Sequence, residues 1–370
     1  MNPALAPDKT PGLWLGVMTG TSMDGIDIAL IRADGQPELL DCISRPMPQA
    51  LVSQLHQLQQ GQLVDGIDAA ARAGLALSME IADGVNALRA RHPTLSIAGV
   101  GVHGQTIRHR PDEGYSLQLV HAPSIAERTG LPVVYDFRNR DIAAGGQGAP
   151  LVPIFHAALL KGQANAGMLN LGGIANLTIV RPDGVLGFDT GPGNTLLDAW
   201  AREQTGHAID HQGRLAAAGQ VHEVLLRQLL ADPFFAAAPP KSTGRDQFHL
   251  QWVQRGAMAA GLDLKALAPE DVQRTLVELT ARSVAAQCPA DLQTLYVCGG
   301  GVHNPVLMQS LSAALVCRLL RTDDLGWPSQ AIEAAAFAWL AQACVQRRPG
   351  NLPSVTGAAG PRVLGSICPA

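Results

Sequence analysis

The chain has 370 residues, of which 47% are hydrophobic and 16% are charged, and its formal net charge is −4. This composition indicates a globular protein with large buried cores and excludes a disordered chain. The acidic balance provides no broad basic field, so neither nucleic acid nor an anionic membrane surface is expected as a partner. The length fits two domains or one large domain.

The cysteine pattern and the apolar segments indicate the cellular compartment of the protein. Six scattered cysteines form no CxxC pair and no Cys/His cluster at zinc spacing, which indicates buried thiols in a reducing compartment. The first twelve residues lack the basic start and apolar core of a signal peptide. The most apolar segment, residues 334–345, is too short to cross a bilayer. We therefore expect a cytoplasmic protein with no membrane partner.

The first half of the chain predicts a sheet with helices behind it. Leu51, Leu55 and Leu58 recur at helical spacing, and the helical pattern continues to about Ala90. A short helix is expected to end at Gly130. The predicted strands are LWLGVM, IDIALIRA, LLDCISRPM, SIAGVGV, YSLQLV and LPVVYDF.

The second half repeats this order of elements. A segment rich in glycine and proline, residues 138–153, is the best sequence position for a hinge. After it, AGMLNLGGIANLTIV (166–180) predicts strand, glycine turn and strand, and a third strand ends near Asp189. Helices follow from Thr195, and a late strand, LQTLYVCGGG (292–301), precedes another helix. The pattern predicts a duplicated α/β architecture with a cleft between the halves.

Three glycine turns at strand ends carry the first functional signal: TGTS (19–22), LGGIAN (171–176) and CGGGVHN (298–304). Glycine lets the backbone approach a ligand, and consecutive amides form an anion cradle. Thr21 and Ser22 add hydroxyl donors, and Asp24 could hold a magnesium ion. Any single turn of this kind can be an ordinary tight turn. The three together favour a phosphate-bearing nucleotide held between two lobes.

Two familiar phosphate-binding motifs are excluded. The segment PPKSTGRD (239–246) contains Lys-Ser-Thr but has no glycine before it at P-loop spacing. The CGGGVHN turn lacks the Rossmann G-x-G-x-x-G pattern and a suitably placed acidic residue on a second strand.

The segment GFDTGPGNTLLDAW (187–200) provides the candidate catalytic group. Asp189 ends a predicted strand, and a rigid Gly/Pro loop follows it. A carboxylate at this place can point into the crevice where α/β proteins bind ligands. Asp189 can be a general base for water or a sugar hydroxyl, or it can stabilise an Asx turn.

Further polar residues follow the strands of the first half. His103, Gln105, Arg108, Arg138 and Arg140 are expected on loops, where arginines suit carboxylate or phosphate recognition. Each arginine can also be an ordinary surface ion-pair partner. Glu333, at the start of the apolar helix EAAAFAWLA, is explained by the helix macrodipole alone.

These segments together resemble the motif series of the anhydro-N-acetylmuramic acid kinase family, in that family's order. The resemblance extends from about Leu13 to the C-terminal GPRVLG, nearly the whole chain. The motifs are GVMTGTSMDGID, HGQTIRH, DFRNRDIAAGGQGAPLVP, NLGGIANLT, GFDTGPGN, PKSTGRDQF, VCGGGVHN and EAAAFAWLA.

The resemblance implies an actin-like ATPase/sugar-kinase fold, in which two RNase H-like lobes with an interlobe cleft close on ATP and Mg²⁺. The implied substrate is 1,6-anhydro-N-acetylmuramic acid, a product of cell-wall turnover. Water opens the anhydro bridge at C1, and the freed O6 takes the γ-phosphoryl group, giving N-acetylmuramic acid 6-phosphate and ADP. The family is dimeric, so a homodimer is expected. The lobes are expected at 1–140 with 346–370, and at 141–345.

The resemblance also implies roles for individual residues. Asp189 matches the catalytic base, and Arg138, Glu333, His103 and Gln105 match positions near the sugar. The nucleotide-binding positions are Gly20, Thr21, Ser22, Met23, Asp24, Gly25, Ile26, Asp27, Gly172, Gly173, Asn176, Gly299, Gly300, Gly301 and Asn304.

One departure from the wider superfamily concerns the metal. Many members place an Asp just before the first phosphate turn, where this chain has Val17-Met18-Thr19. The metal-linked carboxylate must come from elsewhere, and Asp24 is the expected residue.

Three rival hypotheses remain. The first is a kinase of the same fold that acts on a different sugar. The second is a nucleotide-gated binding protein, which needs a partner-binding domain that the sequence does not show. The third is a sugar sensor, for which the sequence offers no helix-turn-helix or basic DNA-reading segment.

Overall fold

The computed structural model describes residues 12–20, 23, 25–61, 65–163, 165–244 and 246–370. The predicted positions Thr21, Ser22 and Asp24 lie outside these described residues. The chain divides into two compact units, the first made of Met1–Lys161 and Gln330–Ala370 and the second of Gly162–Ser329.

Thirteen strands are described. They are β1 (Leu13–Met18), β2 (Gly25–Arg32), β3 (Glu38–Pro46), β4 (Gly99–Val102), β5 (Gln105–Arg110), β6 (Tyr115–Leu119), β7 (Val133–Tyr135), β8 (Ala166–Leu171), β9 (Ile174–Arg181), β10 (Gly184–Pro192), β11 (Thr294–Cys298), β12 (Arg318–Arg321) and β13 (Ser366–Cys368).

Fourteen α-helices are described. They are α1 (Gln49–Gln60), α2 (Gly66–Ala90), α3 (Ala122–Thr129), α4 (Asn139–Ile142), α5 (Pro153–Leu159), α6 (Thr195–Thr205), α7 (Arg214–Ala218), α8 (Glu223–Leu230), α9 (Pro233–Ala236), α10 (Leu250–Ala259), α11 (Pro269–Ala285), α12 (Pro305–Ala314), α13 (Ala331–Val345) and α14 (Pro353–Thr356). None of the described helices is long and apolar enough to cross a membrane.

The sheet of the first unit has the order β13-β7-β4-β1-β2-β3. Strands β1, β2 and β3 form an antiparallel meander, whereas β1, β4 and β7 run parallel. The C-terminal strand β13 adds to β7 in antiparallel fashion. Helices α1, α2 and α3 bury an apolar face against this sheet, in a core that includes Leu55, Leu77 and Ile125.

Helix α13 lies against the same sheet at backbone distance. An added Cβ at Gly16 of β1 would overlap the carbonyl oxygen of Ala334, and one at Gly101 of β4 would overlap that of Phe337. Glycine at both positions therefore permits this close approach. Apart from Glu333, every residue of α13 is buried, which agrees with a helix that is apolar on all sides.

The sheet of the second unit has the order β10-β9-β8-β11-β12. Strands β8, β9 and β10 are antiparallel neighbours, and β8, β11 and β12 run parallel. Helices α6, α8, α10, α11 and α12 contribute to its core, which includes Trp200, Phe248 and Leu279.

Both units share one strand order, with β8, β9, β10, β11 and β12 in the places of β1, β2, β3, β4 and β7. The prediction of a duplicated α/β architecture is thereby confirmed. The directions of the paired strands also agree in the two sheets.

Three local expectations differ from the structure. The segment 138–153, expected as a hinge, lies within the first unit, whose boundaries fall after Lys161 and before Gln330 rather than at 140 and 345. The physical reasons are the packing of α13 on β1 and the hydrogen bonds that tie Asp141 to the C-terminal segment. Residues 105–110 form strand β5 instead of a loop. Arg138 and Arg140 belong to the start of helix α4.

Candidate functional site

Asp189 lies in β10, directly opposite Asn176 of β9. Its Oδ1 accepts a hydrogen bond of 2.9 Å from Asn176 Nδ2, and its Oδ2 accepts one of 2.9 Å from the backbone N–H of Thr243. The pairing of β9 and β10 shifts register between Asp189 and Gly191, which is typical of a bulge beside a functional side chain. The carboxylate is bonded to a residue 54 positions away, a contact that an Asx turn does not make.

Burial raises the pKa of Asp189, against the opposing hydrogen bonds from Asn176 and Thr243 and the charge of Lys241. The side chain remains partly exposed. An ionised carboxylate has about four acceptor positions, so two hydrogen bonds leave capacity for a further donor. The result is a carboxylate that is held in one orientation and is more basic than an exposed aspartate.

Lys241 is a site residue that the sequence did not single out. Its carbonyl oxygen accepts a 3.1 Å hydrogen bond from the Asp189 N–H. Its Nζ donates to the carbonyl of Phe234 at 2.9 Å and lies 4.6 Å from the centroid of that ring. Burial lowers the pKa of Lys241, and Asp189 opposes that shift. Lys241 belongs to the motif PKSTGRDQF, which pointed to function only as part of the family resemblance.

The loop after Asp189 is fastened to the LGGIAN turn. The N–H of Gly193 donates to the carbonyl of Gly173 at 2.9 Å, and that of Asn194 donates to the carbonyl of Gly172 at 2.8 Å. An added Cβ at Gly193 would overlap the Gly172 oxygen. Glycine is therefore required at position 193 for this contact.

The CGGGVHN turn lies against the end of β8 and near Asn194 of the loop after Asp189. Gly299 has φ +84°, and an added Cβ there would overlap Asn170, whereas one at Gly301 would crowd Leu171. At Gly300 the nearest atom to an added Cβ is Asn194 Nδ2, at 4.0 Å. Two of the three predicted glycine turns and the Asp189 loop thus come together within the second unit. The backbone at Gly300 presents an open surface, which fits the approach of a phosphate.

Two predicted nucleotide contacts in the second unit have other partners. The side-chain oxygen of Asn304 caps α12 by accepting from the N–H groups of Val306 (3.1 Å) and Leu307 (3.2 Å). Asn176 donates to Asp189. In the structure these residues support the helix start and the candidate base.

In the first unit, two described residues of the predicted phosphate loop have their side chains in the core. Met23 and Ile26 are core residues, with 1% and 0% exposure. The carbonyl oxygen of Gly20 accepts from Gln105 Nε2 and from the N–H of Met23, each at 3.2 Å. Gly25 and Asp27 lie at the start of β2, opposite β3. Met23 and Ile26 can contribute only main-chain groups to a ligand.

His103, which is buried, and Arg138, which is partly buried, form a hydrogen-bonded pair in the first unit. His103 Nδ1 lies 2.7 Å from the Gly104 carbonyl oxygen and therefore carries the proton, which leaves Nε2 as an acceptor. Arg138 donates to that nitrogen from Nε at 3.0 Å and from Nη2 at 2.8 Å. Burial, followed by the charge of Arg138, holds the pKa of His103 well below its usual value, so this histidine is neutral.

Glu333, on the first turn of α13, acts electrostatically on Arg138. Burial lowers the pKa of Arg138 to about 10, while the charges of Glu333 and Asp141 oppose that shift. The structure thus brings together three predicted sugar-site residues, His103, Arg138 and Glu333. The fourth, Gln105, is fully buried and donates to Gly20.

The described residues contain no group of three or more His, Cys, Asp or Glu side chains that could hold a metal ion. Mg²⁺ in kinases keeps several waters and is bound by one or two carboxylates together with substrate phosphates.

Comparison with known proteins extends these observations. The family model for anhydro-N-acetylmuramic acid kinase matches residues 12–370. The anhydro-N-acetylmuramic acid kinase of Bordetella avium (strain 197N) is 49% identical, with 100% of this chain and 99% of the relative covered. That of Bordetella petrii is 51% identical, with 98% of each covered.

Among solved structures, a ROK family glucokinase from Streptomyces griseus is 14% identical, covers 88% of this chain and 98% of its own, and gives a TM-score of 0.41.

The sequence and the structure agree on the class of protein. The repeated sheet order agrees with the duplicated α/β architecture that the sequence predicts. The family match spans nearly the whole chain, and its relatives are matched end to end. The chain belongs to the anhydro-N-acetylmuramic acid kinase family.

Proposed function

We propose that this protein is an ATP-dependent kinase that opens 1,6-anhydro-N-acetylmuramic acid by hydrolysis and phosphorylates O6, giving N-acetylmuramic acid 6-phosphate and ADP. The observation that carries the proposal is the oriented carboxylate of Asp189, whose pKa is raised by burial, beside two glycine turns. Family membership supports the choice of sugar.

In the proposed reaction, Asp189 accepts a proton from a water molecule that attacks C1. The C1–O6 bond breaks as the new C1–O bond forms, and O6 bonds to the γ-phosphorus of ATP while ADP leaves. The proton held by Asp189 then returns to solvent. Because O6 is captured by phosphorus, no separate acid is required, and one carboxylate can replace the pair that glycosidases use.

Phosphoryl transfer mainly needs positioning and neutralisation of charge. The glycine turns at Gly172, Gly173 and Gly299–Gly301 are the proposed phosphate contacts in the second unit. Two observations support this proposal: the backbone at Gly300 is open, and hydrogen bonds join the Gly172–Gly173 turn to the loop after Asp189.

We further propose that the nucleotide binds with Mg²⁺, which would supply charge neutralisation at the phosphates. Asp24, outside the described residues, stays the proposed ligand. Thr21 and Ser22, together with main-chain groups from Gly20 to Asp27, stay the proposed phosphate loop of the first unit.

Arg138 and Glu333 are the proposed sugar contacts of the first unit. Neutral His103 accepts hydrogen bonds from Arg138 but carries no negative charge, so it does not neutralise the positive charge of the guanidinium. That charge suits an anionic substrate group. His103 is assigned to holding Arg138, because both of its ring nitrogens have partners within the protein.

The proposed setting is the recycling of cell-wall amino sugars in the cytoplasm, where ATP is available. A homodimer is proposed from the family resemblance alone. Light scattering coupled to size-exclusion chromatography tests it directly, and a mass of one chain, 38.8 kDa, would contradict it.

The central experiment is incubation with ATP, Mg²⁺ and 1,6-anhydro-N-acetylmuramic acid in ¹⁸O-water, followed by mass spectrometry and NMR. The expected product carries ¹⁸O at C1 and phosphate on O6. Ordinary N-acetylmuramic acid serves as the comparison substrate. Faster phosphorylation of that sugar, or product without label at C1, would overturn the proposal in favour of a kinase for a different sugar.

A further inference from the structure

The fully buried carboxylate of Asp141 joins the segment after Arg138 to the C-terminal part of the chain. Its Oδ1 accepts from Asn351 Nδ2 at 2.6 Å and from Thr356 Oγ1 at 2.8 Å. Its Oδ2 accepts from the N–H of Gly148 at 2.8 Å. All three donors therefore converge on one side chain from two separate segments.

The contact to Gly148 leads directly to Arg138. The carbonyl oxygen of Gly148 accepts a 2.8 Å hydrogen bond from Arg138 Nη1. On its other edge the guanidinium donates to His103 Nε2. The arginine is therefore held from two sides, by a neutral ring and by a carbonyl group whose own residue is fastened to Asp141.

We infer that Asp141 is a positioning residue for Arg138, and that the C-terminal segment 351–356 acts on Arg138 through it. The inference rests on the proposed function in one respect, namely that Arg138 binds substrate. It adds a functional role for the segment 351–356, which contains none of the predicted site residues.

The surrounding contacts leave little room for an alternative arrangement. An added Cβ at Gly146 would overlap Asp141 Oδ2, and the N–H of Gln147 donates to the Thr356 carbonyl at 2.8 Å. Gly148 has φ +66°, a conformation that favours glycine. If the hydrogen bond from Thr356 is lost, the loop that carries the Gly148 carbonyl loses one of its anchors.

The test is Thr356→Val, which removes one hydrogen bond to Asp141 with little change in volume. Thr129→Val is the matched control, because Thr129 is also buried in the first unit and its Oγ1 donates to the Ile125 carbonyl at 2.7 Å. Thr356→Val should lower kcat/KM for the sugar by about 10- to 100-fold, as small misplacements of binding groups do. KM for ATP should stay unchanged, and Thr129→Val should leave both constants unchanged.

A second readout does not depend on turnover. In ¹⁵N-arginine-labelled protein, the Arg138 Nε–H donates to His103 and should exchange slowly with solvent. Arg138→Lys identifies its resonance. Faster exchange of this proton in Thr356→Val, but not in Thr129→Val, is expected.

Unchanged exchange in Thr356→Val, or a loss of kcat/KM that Thr129→Val matches at equal thermal stability, would overturn the inference. Asp141→Asn provides a stronger perturbation and should give a larger exchange effect than Thr356→Val. Failure of the proposed function looks different, because the wild-type protein would then not turn over the anhydro sugar while the exchange result still stood.

Discussion

The two units have one sheet topology but place their polar groups differently. In the first unit β2 and β3 bring Asp27 opposite Ser44, and in the second β9 and β10 bring Asn176 opposite Asp189. The acid is thus on the second strand of one meander and on the third strand of the other. In both units a polar pair lies across the second and third strands of the meander, but the strand that carries the acidic residue differs.

The surroundings of the two positions explain why we assign catalysis to the second. Asp189 has a register shift after it, and the Lys241–Thr243 segment covers it with a backbone donor. Burial raises the pKa of this carboxylate, while Thr243 holds its Oδ2 and Asn176 holds its Oδ1. A duplicated fold can therefore give a base to one half without changing the order of its strands.

Asp189→Asn should have the largest effect of the variants considered, because it removes the proposed base and keeps the shape of the side chain. We expect kcat to fall by about 10²- to 10⁴-fold, the usual contribution of general base catalysis. ATP affinity, measured by calorimetry, should stay close to that of the wild type.

Asp210→Asn is the control for that variant. Asp210 is also partly buried, and it accepts from the N–H groups of Leu215 and Ala216 and from a side-chain amide. Its substitution should leave kcat within about twofold, as expected away from the reacting groups. Equal activity of Asp189→Asn and wild type would remove Asp189 from the mechanism.

Gly193→Ala and Gly16→Ala test how each unit uses close backbone approach. Each added methyl group would overlap a backbone carbonyl oxygen, and we expect each to destabilise the fold by about 1–3 kcal/mol. Chemical denaturation measures this loss. Activity should also fall, because one change moves the Asp189 loop and the other moves α13, which carries Glu333.

Gly219→Ala separates stability from activity in that experiment. Its added methyl would overlap the carbonyl oxygen of Glu270, away from the candidate site. We expect a similar loss of stability with kcat preserved below the unfolding transition. If all three variants lose activity equally, the effect is one of folding and says nothing of the site.

Gly300→Ala should have the opposite profile. The added Cβ has space within the protein, with its nearest neighbour at 4.0 Å, so stability should be retained. The methyl group would occupy the surface proposed for phosphate, and the dissociation constant for ATP should rise about tenfold, or about 1.4 kcal/mol. Unchanged ATP affinity would argue against a phosphate contact at Gly300.

The sequence was sufficient for the three consecutive strands that open each half and for placing Asp189 on the third strand of the second half, although β10 continues past Asp189 to Pro192. Both follow from local signals, namely alternating apolar residues, glycine turns and a Gly/Pro loop. The duplication was also predictable, since similar local patterns occurred in the same order twice. Resemblance to a family then gave the substrate, which no local pattern contains.

Long-range contacts were beyond the sequence. Lys241 and Thr243 are far from Asp189 along the chain, and nothing in their local pattern shows that their backbone would cover it. The placement of α13 with the first unit depends on Gly16 and Gly101, whose role is visible only once the helix lies against them. His103 was predicted near the sugar, but its tautomer and its hold on Arg138 needed the structure.

Asn176→Ala should have the smallest effect, because it removes only one hydrogen bond to Asp189. The amide of Asn176 donates to the ionised form of Asp189 and lowers its pKa, so its removal should raise that pKa further. The base must be ionised to act, and the acid limb of the kcat/KM profile should therefore move to higher pH. Gln163→Ala, which removes a hydrogen bond from Tyr296 elsewhere in the second unit, should leave the limb in place. An unmoved limb in Asn176→Ala would show that the limb reports another group.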